Sequence, residues 1–214
     1  MSRKISARDR MAALGRATEH SPFLRDSIGA RPEIADAFLK LGAMAAADQA
    51  LLSSGDDLAA SLRRRRQGLA LAVALGDLAG ELALEQVTQL LSDFADSAID
   101  QAIRAALIER VPDAEPQGFA VIAMGKLGSF ELNYSSDVDL LLLFDPESLP
   151  WRSRDDAGEA AVRVGQRLIE LLQKRTEEGY VQRVDLRLRP SPEVTPIALP
   201  VNAAISHYES SALP

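Results

Sequence analysis

The stretch from Gly118 to Asp145 decides the fold, and it reads GFAVIAMGKLGSFELNYSSDVDLLLLFD. It contains two apolar runs, Phe119 to Met124 and Val138 to Phe144, whose lengths are typical of β-strands. The second run is apolar without interruption from Leu140, which is typical of a strand buried within a sheet. Glycines and a short polar link separate the runs. The stretch therefore predicts a strand, a glycine turn, a link and a central strand.

Two carboxylates, Asp137 and Asp139, lie where the second strand begins. Strand residues two apart point to the same face, so the carboxylates project together. Oxygen ligands in this arrangement suit Mg²⁺ or Mn²⁺. Ser135 and Ser136 precede them and either orient the carboxylates or simply end the link. An Asp-x-Asp pair alone is common, and taken by itself it is more often a solvated strand end or a pair of capping or turn aspartates.

A Gly-Ser turn upstream, Gly128-Ser129, strengthens the functional interpretation. Its backbone N–H groups and the serine hydroxyl could hold a phosphate. Lys126 could also contact phosphate, or it could be an exposed turn lysine. The glycine spacing does not match a Walker A loop. A Gly-Ser turn followed by Asp-x-Asp on a strand indicates the site of a nucleotidyltransferase.

A third acid is expected on a neighbouring strand, predicted over Tyr180 to Leu188. Charged and apolar residues alternate here, which places Asp185, Arg187 and Arg189 on one face. In a two-metal site Asp185 would supply the third carboxylate. The two arginines could bind phosphate oxygens by bidentate contacts. The alternative is an amphipathic strand whose charges pair with one another on a wet face.

The composition changes near Val111-Pro112-Asp113-Ala114-Glu115-Pro116, where two prolines end a helical region. Residues 1–112 are rich in Ala, Leu, Arg and Glu and are predicted to form a helical subdomain. Residues 113–214 alternate between strand and helix patterns. The fold class is therefore α+β, with a nucleotidyltransferase-fold mixed sheet and flanking helices after the helical part. The run Arg63 to Arg66 covers all sides of a helix and is interpreted as a solvated, ion-paired surface, with a partner contact as the second interpretation.

The overall composition limits the functions that the chain can have. A net charge of −7 argues against a general nucleic-acid binder. The absence of cysteine excludes disulfides, thiolate zinc sites and cysteine nucleophiles, and two histidines are too few to indicate a histidine metal site. Neither a signal-type apolar segment nor a membrane-spanning run occurs in the sequence. The expectation is a cytoplasmic protein without a membrane partner.

Several motifs together resemble the glutamine synthetase adenylyltransferase/adenylyl-removing enzyme family. They agree in order and spacing, and the resemblance covers nearly all of the chain. The matching segments are Ile122 to Gly128, Glu131 to Leu140, Gly165 to Ile169, Gly179 to Pro190 and His207 to Glu209.

The resemblance implies a metal-dependent nucleotidyltransferase that regulates nitrogen metabolism through glutamine synthetase. Family members add AMP to a tyrosine of that enzyme, using ATP, or remove it by phosphorolysis, which releases ADP; they respond to the PII signalling protein and to glutamine. The Glu-Leu-Asn-x-Ser-Ser-Asp motif so close to Met1 resembles the adenylyl-removing domain, with Asp137, Asp139 and Asp185 as the metal and catalytic acids. The length implies a fragment of a longer two-domain enzyme.

Two other functions remain open at this stage. The same fold could transfer a nucleotide to another hydroxyl acceptor. Alternatively, the chain could be a non-catalytic regulatory module that binds nucleotide or PII. The presence of three carboxylates favours catalysis over the regulatory module.

Overall fold

The computed structural model describes residues 5–152 and 155–211, and within these ranges the chain is a mixed α+β protein. In the part of the chain so described, no strand occurs before Phe119, and no helix is both long and apolar enough to cross a membrane. The helices are α1 Ala7–His20, α2 Pro22–Ala30, α3 Pro32–Leu41, α4 Ala43–Leu51, α5 Leu58–Ala79, α6 Leu84–Arg110, α7 Gly125–Gly128, α8 Ala157–Gln173 and α9 Val201–Ser211. The strands are β1 Phe119–Met124, β2 Val138–Phe144, β3 Val184–Asp185 and β4 Ala198–Pro200.

The chain divides into two compact units, and neither is continuous in sequence. The first contains the described residues up to Phe94, together with Phe130–Ser135 and Glu177–Gly179. The second contains Ala95–Ser129, Ser136–Thr176 and the described residues from Tyr180 onward. The division falls within α6. The domain boundary that the sequence predicts near residue 112 stays a prediction.

Local sequence signals set the helix ends of the first unit. Ser6 and Asp9 form a capping box at the start of α1, in which each side chain accepts a hydrogen bond from the other residue's N–H. Prolines occupy the first positions of α2 and α3, where a missing N–H costs nothing. Asp57 caps α5 by accepting from the Ala60 N–H at 2.7 Å. These caps supply partners for N–H groups that the helices cannot satisfy internally.

Helices α4 and α5 approach closely because small residues face one another. A Cβ placed on Gly76 would lie 2.5 Å from the Cβ of Ala43, and one on Gly68 would lie 2.8 Å from the Cβ of Ala50. Both distances are shorter than real carbon contacts. The core of the first unit thus depends on the absence of side-chain atoms at two positions of α5.

We expect Gly76→Ala to lower the free energy of unfolding by about 1–3 kcal/mol, because the new methyl group overpacks the α4–α5 interface. Gly15→Ala is the matched control, since nothing lies within 4 Å of a Cβ at that exposed helical position. The control should gain about 0.5–1 kcal/mol from improved helix propensity. Urea unfolding followed by circular dichroism measures both changes. Equal stabilisation of the two variants would contradict the close-packing argument.

The second unit is built on strand β2, whose apolar run pairs with three other strands. Strand β1 runs antiparallel to it, with Phe119 opposite Phe144 and Met124 opposite Asp139. Strands β3 and β4 both run parallel to it, β3 beside its first residues and β4 beside its last. Helix α8 packs closely on this sheet, since a Cβ on Gly165 would lie 3.0 Å from Leu142. The predicted bounds of β1 and β2 are confirmed.

The prediction of a long third strand is wrong, because β3 contains only Val184 and Asp185. The carboxylate of Asp185 accepts a hydrogen bond from the Arg187 N–H at 2.8 Å, which turns the chain away from the sheet. The Arg189 N–H then donates to the Leu186 carbonyl at 3.3 Å. Arg187 and Arg189 therefore lie in a turn, and the strand alternation proposed for them does not apply.

The arginine run of α5 is not simply a solvated surface. Arg63 is only 7% exposed, its Nε lies 4.0 Å from the Glu178 carboxylate, and its Nε and Nη1 have no hydrogen-bond partner. Arg64 donates to Glu178 at 2.7 Å, and Arg66 donates to the Tyr134 carbonyl at 3.3 Å. The expected ion pairs are present, but the expectation of full solvation is wrong for Arg63. These bonds help to explain why the segments 130–135 and 177–179 belong to the helical unit.

Candidate functional site

The three candidate acids lie where β2 and β3 begin side by side. Asp139 and Asp185 are partners in the parallel ladder between these strands. Residues paired in this way point to the same face of a sheet. Asp137 lies two residues before Asp139, and Val138 between them donates its N–H to the Arg183 carbonyl at 2.8 Å. The structure therefore brings the three aspartates to one edge of the sheet.

Two arginines provide positive charge at this edge. Arg187 forms a fork on Asp185: its Nε lies 3.0 and 2.8 Å from the two carboxylate oxygens, and its Nη2 also donates to one of them. Arg183 donates to Asp137 at 3.3 Å. Each of the two hydrogen-bonded acids thus has a guanidinium beside it.

The pKa values of Asp185 and Arg187 shift in the directions expected for neighbouring opposite charges. The pKa of Asp185 is lowered from its ordinary value, mainly by the Arg187 side chain and then by the Arg187 N–H. The pKa of Arg187 is raised, mainly by its hydrogen bond to Asp185 and then by that carboxylate's charge. The charges of Asp137 and Asp139 raise it further. Arg187 therefore interacts with all three carboxylates.

The Gly-Ser turn follows β1 directly. Gly125 to Gly128 form the single turn α7, and Ser129 ends it. The Ser129 N–H donates to the Gly125 carbonyl at 3.2 Å, and its hydroxyl lies 3.2 and 3.3 Å from the carbonyls of Gly125 and Lys126. The donors of Ser129 are thus used within the turn. Gly128 and Lys126 are exposed at its surface. Phosphate binding by this turn stays a prediction, and for Ser129 it requires these internal bonds to be exchanged.

The remaining candidates have different surroundings. Arg189 donates to the carbonyls of Leu186 and Pro192 at 2.8 and 2.7 Å, and these bonds stabilise the turn after β3. Ser136 is half-buried and immediately precedes Asp137. The structure thus groups Arg187 with the acids and places Arg189 in local backbone contacts.

Two residues of the site were not singled out from the sequence. Gly125 has a φ of +56°, and a Cβ there would lie 2.6 Å from the Oδ2 of Asp139. The sequence signal for Gly125 was its position, since it directly follows the apolar strand and precedes the Gly-Ser turn. Arg183 precedes Asp185 by two residues, so the same period-two spacing that linked Asp185 with Arg187 could have indicated it.

We expect Gly125→Ala to destabilise the protein by about 2–4 kcal/mol, because it adds left-handed backbone strain to a clash with Asp139. In an Asp139→Ala background the clash disappears, and the same substitution should cost only the strain of about 1–2 kcal/mol. Urea unfolding of the four proteins measures the coupling between the two positions. Additive losses would show that Gly125 is not required by the Asp139 carboxylate.

The donor set suits a hard divalent cation, although the acids are not gathered around a metal-sized centre. Among the residues that the structure describes, no group of three or more His, Cys, Asp or Glu side chains is arranged to hold a metal ion. Asp139 and Asp185 on adjoining strand positions, with Asp137 just before β2, nevertheless supply the carboxylate oxygens that Mg²⁺ and Mn²⁺ prefer. Because Gly125 has no side chain, there is space beside the Asp139 carboxylate that a Cβ at this position would fill. The residues fit such an ion, provided that Arg187 moves from Asp185.

The fold and the site together define an α+β protein with a carboxylate cluster at the edge of a mixed sheet. The family model described as glutamate-ammonia ligase adenylyltransferase matches residues 11–214. The chain belongs to this family.

Curated relatives agree with this assignment. The bifunctional glutamine synthetase adenylyltransferase/adenylyl-removing enzyme of Rhizobium meliloti (strain 1021) is 42% identical over 215 residues, which cover 89% of this chain and 22% of the relative. Proteins of the same name from Mesorhizobium japonicum and Xanthobacter autotrophicus are also 42% identical, covering 89% and 94% of this chain and 21% and 22% of their own lengths. The chain thus spans about a fifth of the length of the relatives it matches.

Proposed function

We propose that this chain is a nucleotidyltransferase domain that removes AMP from a tyrosine of glutamine synthetase by phosphorolysis. The observation that carries the proposal is the register that places Asp139 beside Asp185, with Asp137 at the same edge. Family membership supports the substrate, since the relatives are named for adenylylation and adenylyl removal on glutamine synthetase. The Glu131-Leu-Asn-Tyr-Ser-Ser-Asp137 motif supports removal as the direction of this domain.

The residues have separate roles in the proposed reaction. Asp137, Asp139 and Asp185 would hold Mg²⁺ or Mn²⁺, which neutralises negative charge on the phosphates when bound. An oxygen of inorganic phosphate attacks the phosphorus of AMP, the bond from phosphorus to the tyrosine oxygen breaks, and ADP forms. The released tyrosine oxygen takes a proton from solvent. Phosphate is already an oxyanion at neutral pH, so Asp185 does not serve as a general base.

The phosphate contacts complete this proposal. The turn from Lys126 to Ser129 would position the AMP phosphate through Lys126, Gly128 and Ser129, and Ser136 would orient the neighbouring Asp137 carboxylate or contact the phosphate itself. Arg187 would bind a phosphate oxygen. Arg189 is proposed for the same task, which requires it to leave its present carbonyl partners. Electrostatic stabilisation and positioning are the main sources of rate in transfers at phosphorus.

The cellular role of the protein is also part of the proposal, and membership of the family supports it. It comprises ATP-dependent addition of AMP by the longer enzyme, control by PII and glutamine, and action in the cytoplasm. Regulation of nitrogen metabolism would be the result. A chain that corresponds to a fifth of its relatives would supply one catalytic domain of this system.

We expect Asp137→Asn and Asp139→Asn each to reduce ADP release by at least about 10²–10³-fold, because each keeps the side-chain shape and removes a ligand charge. The assay incubates adenylylated glutamine synthetase with the protein, Mg²⁺ and phosphate, and measures ADP. The wild-type protein must first show turnover, either alone or within the longer enzyme.

Asp100→Asn is the matched control for this assay, since Asp100 forms an exposed pair with Arg104 on α6. The control should retain wild-type turnover and stability. Full ADP release by both site variants would refute the assignment of the acids. Metal-dependent nucleotide binding without any turnover would support the regulatory module instead.

A further inference from the structure

We propose that Arg187 is an exchangeable counterion: it closes the carboxylate cluster in the metal-free protein, and it transfers to a phosphate oxygen when a divalent cation takes its place. The proposal rests on the proposed function and adds a specific role for one residue within it. Arg187 would thereby link cation binding to recognition of the phosphate-bearing substrate.

The bonding of Asp185 is the first reason. Both of its carboxylate oxygens accept hydrogen bonds from the Arg187 guanidinium. A cation that uses Asp185 needs at least one of these oxygens on its open side. The guanidinium fork and the cation therefore compete for the same carboxylate, and both cannot hold it in the present geometry.

The difference in exposure shows which partner can move. The Asp185 side chain is 13% exposed, whereas the Arg187 side chain is 84% exposed. Water screens an ion pair whose arginine lies mostly in solvent, so moving the Arg187 side chain is not costly. Asp185 would also keep a partner after the exchange, because the Arg187 N–H donates to its Oδ1 independently of the guanidinium. The acid therefore stays oriented when the arginine side chain leaves.

The charges determine where the released side chain goes. Arg187 is attracted by Asp185, Asp137 and Asp139 in the metal-free cluster. A divalent cation neutralises part of that negative charge and repels the guanidinium. A phosphate oxygen bound next to the cation then becomes the nearest favourable partner, since guanidinium groups bind phosphate in a bidentate manner.

Neighbouring arginines lack this combination. Arg183 is less exposed, at 50%, and its hydrogen bond to Asp137 is longer, at 3.3 Å. Arg189 donates to two main-chain carbonyls at 2.8 and 2.7 Å and stabilises a turn. Arg187 alone among these three forms a fork on an acid while its side chain remains mostly in solvent.

The first measurement is Mn²⁺ affinity, obtained from the electron paramagnetic resonance signal of free Mn²⁺ during titration of the 214-residue chain. Arg187→Gln should bind Mn²⁺ about two- to tenfold more tightly than the wild type, because the competing cation is gone. Arg187→Lys should lie between them, since it keeps the charge and loses the fork. Arg104→Gln removes the same charge far from the acids in sequence, on α6, and should leave the affinity unchanged.

The second measurement is the affinity for ADP at saturating Mg²⁺, by isothermal titration calorimetry. Arg187→Gln should bind MgADP about five- to tenfold more weakly, because a charged phosphate contact is lost. Tighter Mn²⁺ binding combined with weaker MgADP binding supports the exchange. Unchanged or weaker Mn²⁺ binding in Arg187→Gln overturns it, and so does unchanged MgADP binding.

The wild-type result separates this proposal from the proposed function. If the wild type binds Mn²⁺ and MgADP but Arg187→Gln behaves identically, only the exchange is wrong. If the wild type binds neither ligand, the nucleotidyltransferase assignment of the site fails and the exchange fails with it. Thermal unfolding of each variant identifies any loss of folded protein.

Discussion

Repulsion among three carboxylates is the constraint on which the site depends. The ladder between β2 and β3 makes Asp139 and Asp185 neighbours, and Asp137 is two residues away on the same side. Like charges near a protein surface repel one another, and the repulsion is stronger there than in bulk water. The protein offsets this repulsion with Arg183 and Arg187. The turn after the short β3 brings Arg187 back onto Asp185.

The apolar core fixes where these charges meet. Leu140 and Leu142 of β2 are fully buried and lie on the face opposite Asp139, so a shift of the strand by one residue would turn Asp139 into that buried face. The register that burial selects is therefore the register that groups the acids. A Cβ on Gly125 would collide with the Asp139 carboxylate, so the turn after β1 is adapted to the same acid. The register of β2 therefore determines both the packing of its leucines and the grouping of the acids.

The sequence was most informative where local patterns act alone. The apolar runs of β1 and β2 fixed both strands to the residue, and the spacing of Asp137 and Asp139 was sufficient to indicate their shared face. The prediction failed for β3 because an aspartate side chain that binds its own backbone competes with strand alternation. It also failed for the burial of Arg63, because Glu178 lies far away in the chain and no local pattern reveals such a partner.

Contacts between residues far apart in the chain also explain why the composition could not reveal the two compact units. The segment 130–135 alternates apolar or aromatic with polar residues; its Leu132 is buried, and the Leu132 N–H donates to Ser92 of α6 at 3.2 Å. Its Tyr134 hydroxyl donates to Asp77 of α5 at 3.4 Å, and burial followed by the Asp77 charge raises the pKa of that tyrosine. This segment directly precedes Ser136 and Asp137, and the segment held by Arg64 through Glu178 precedes β3. Hydrogen bonds between residues far apart in the chain therefore hold both segments within the helical unit, and the local composition of the segments does not reveal these partners.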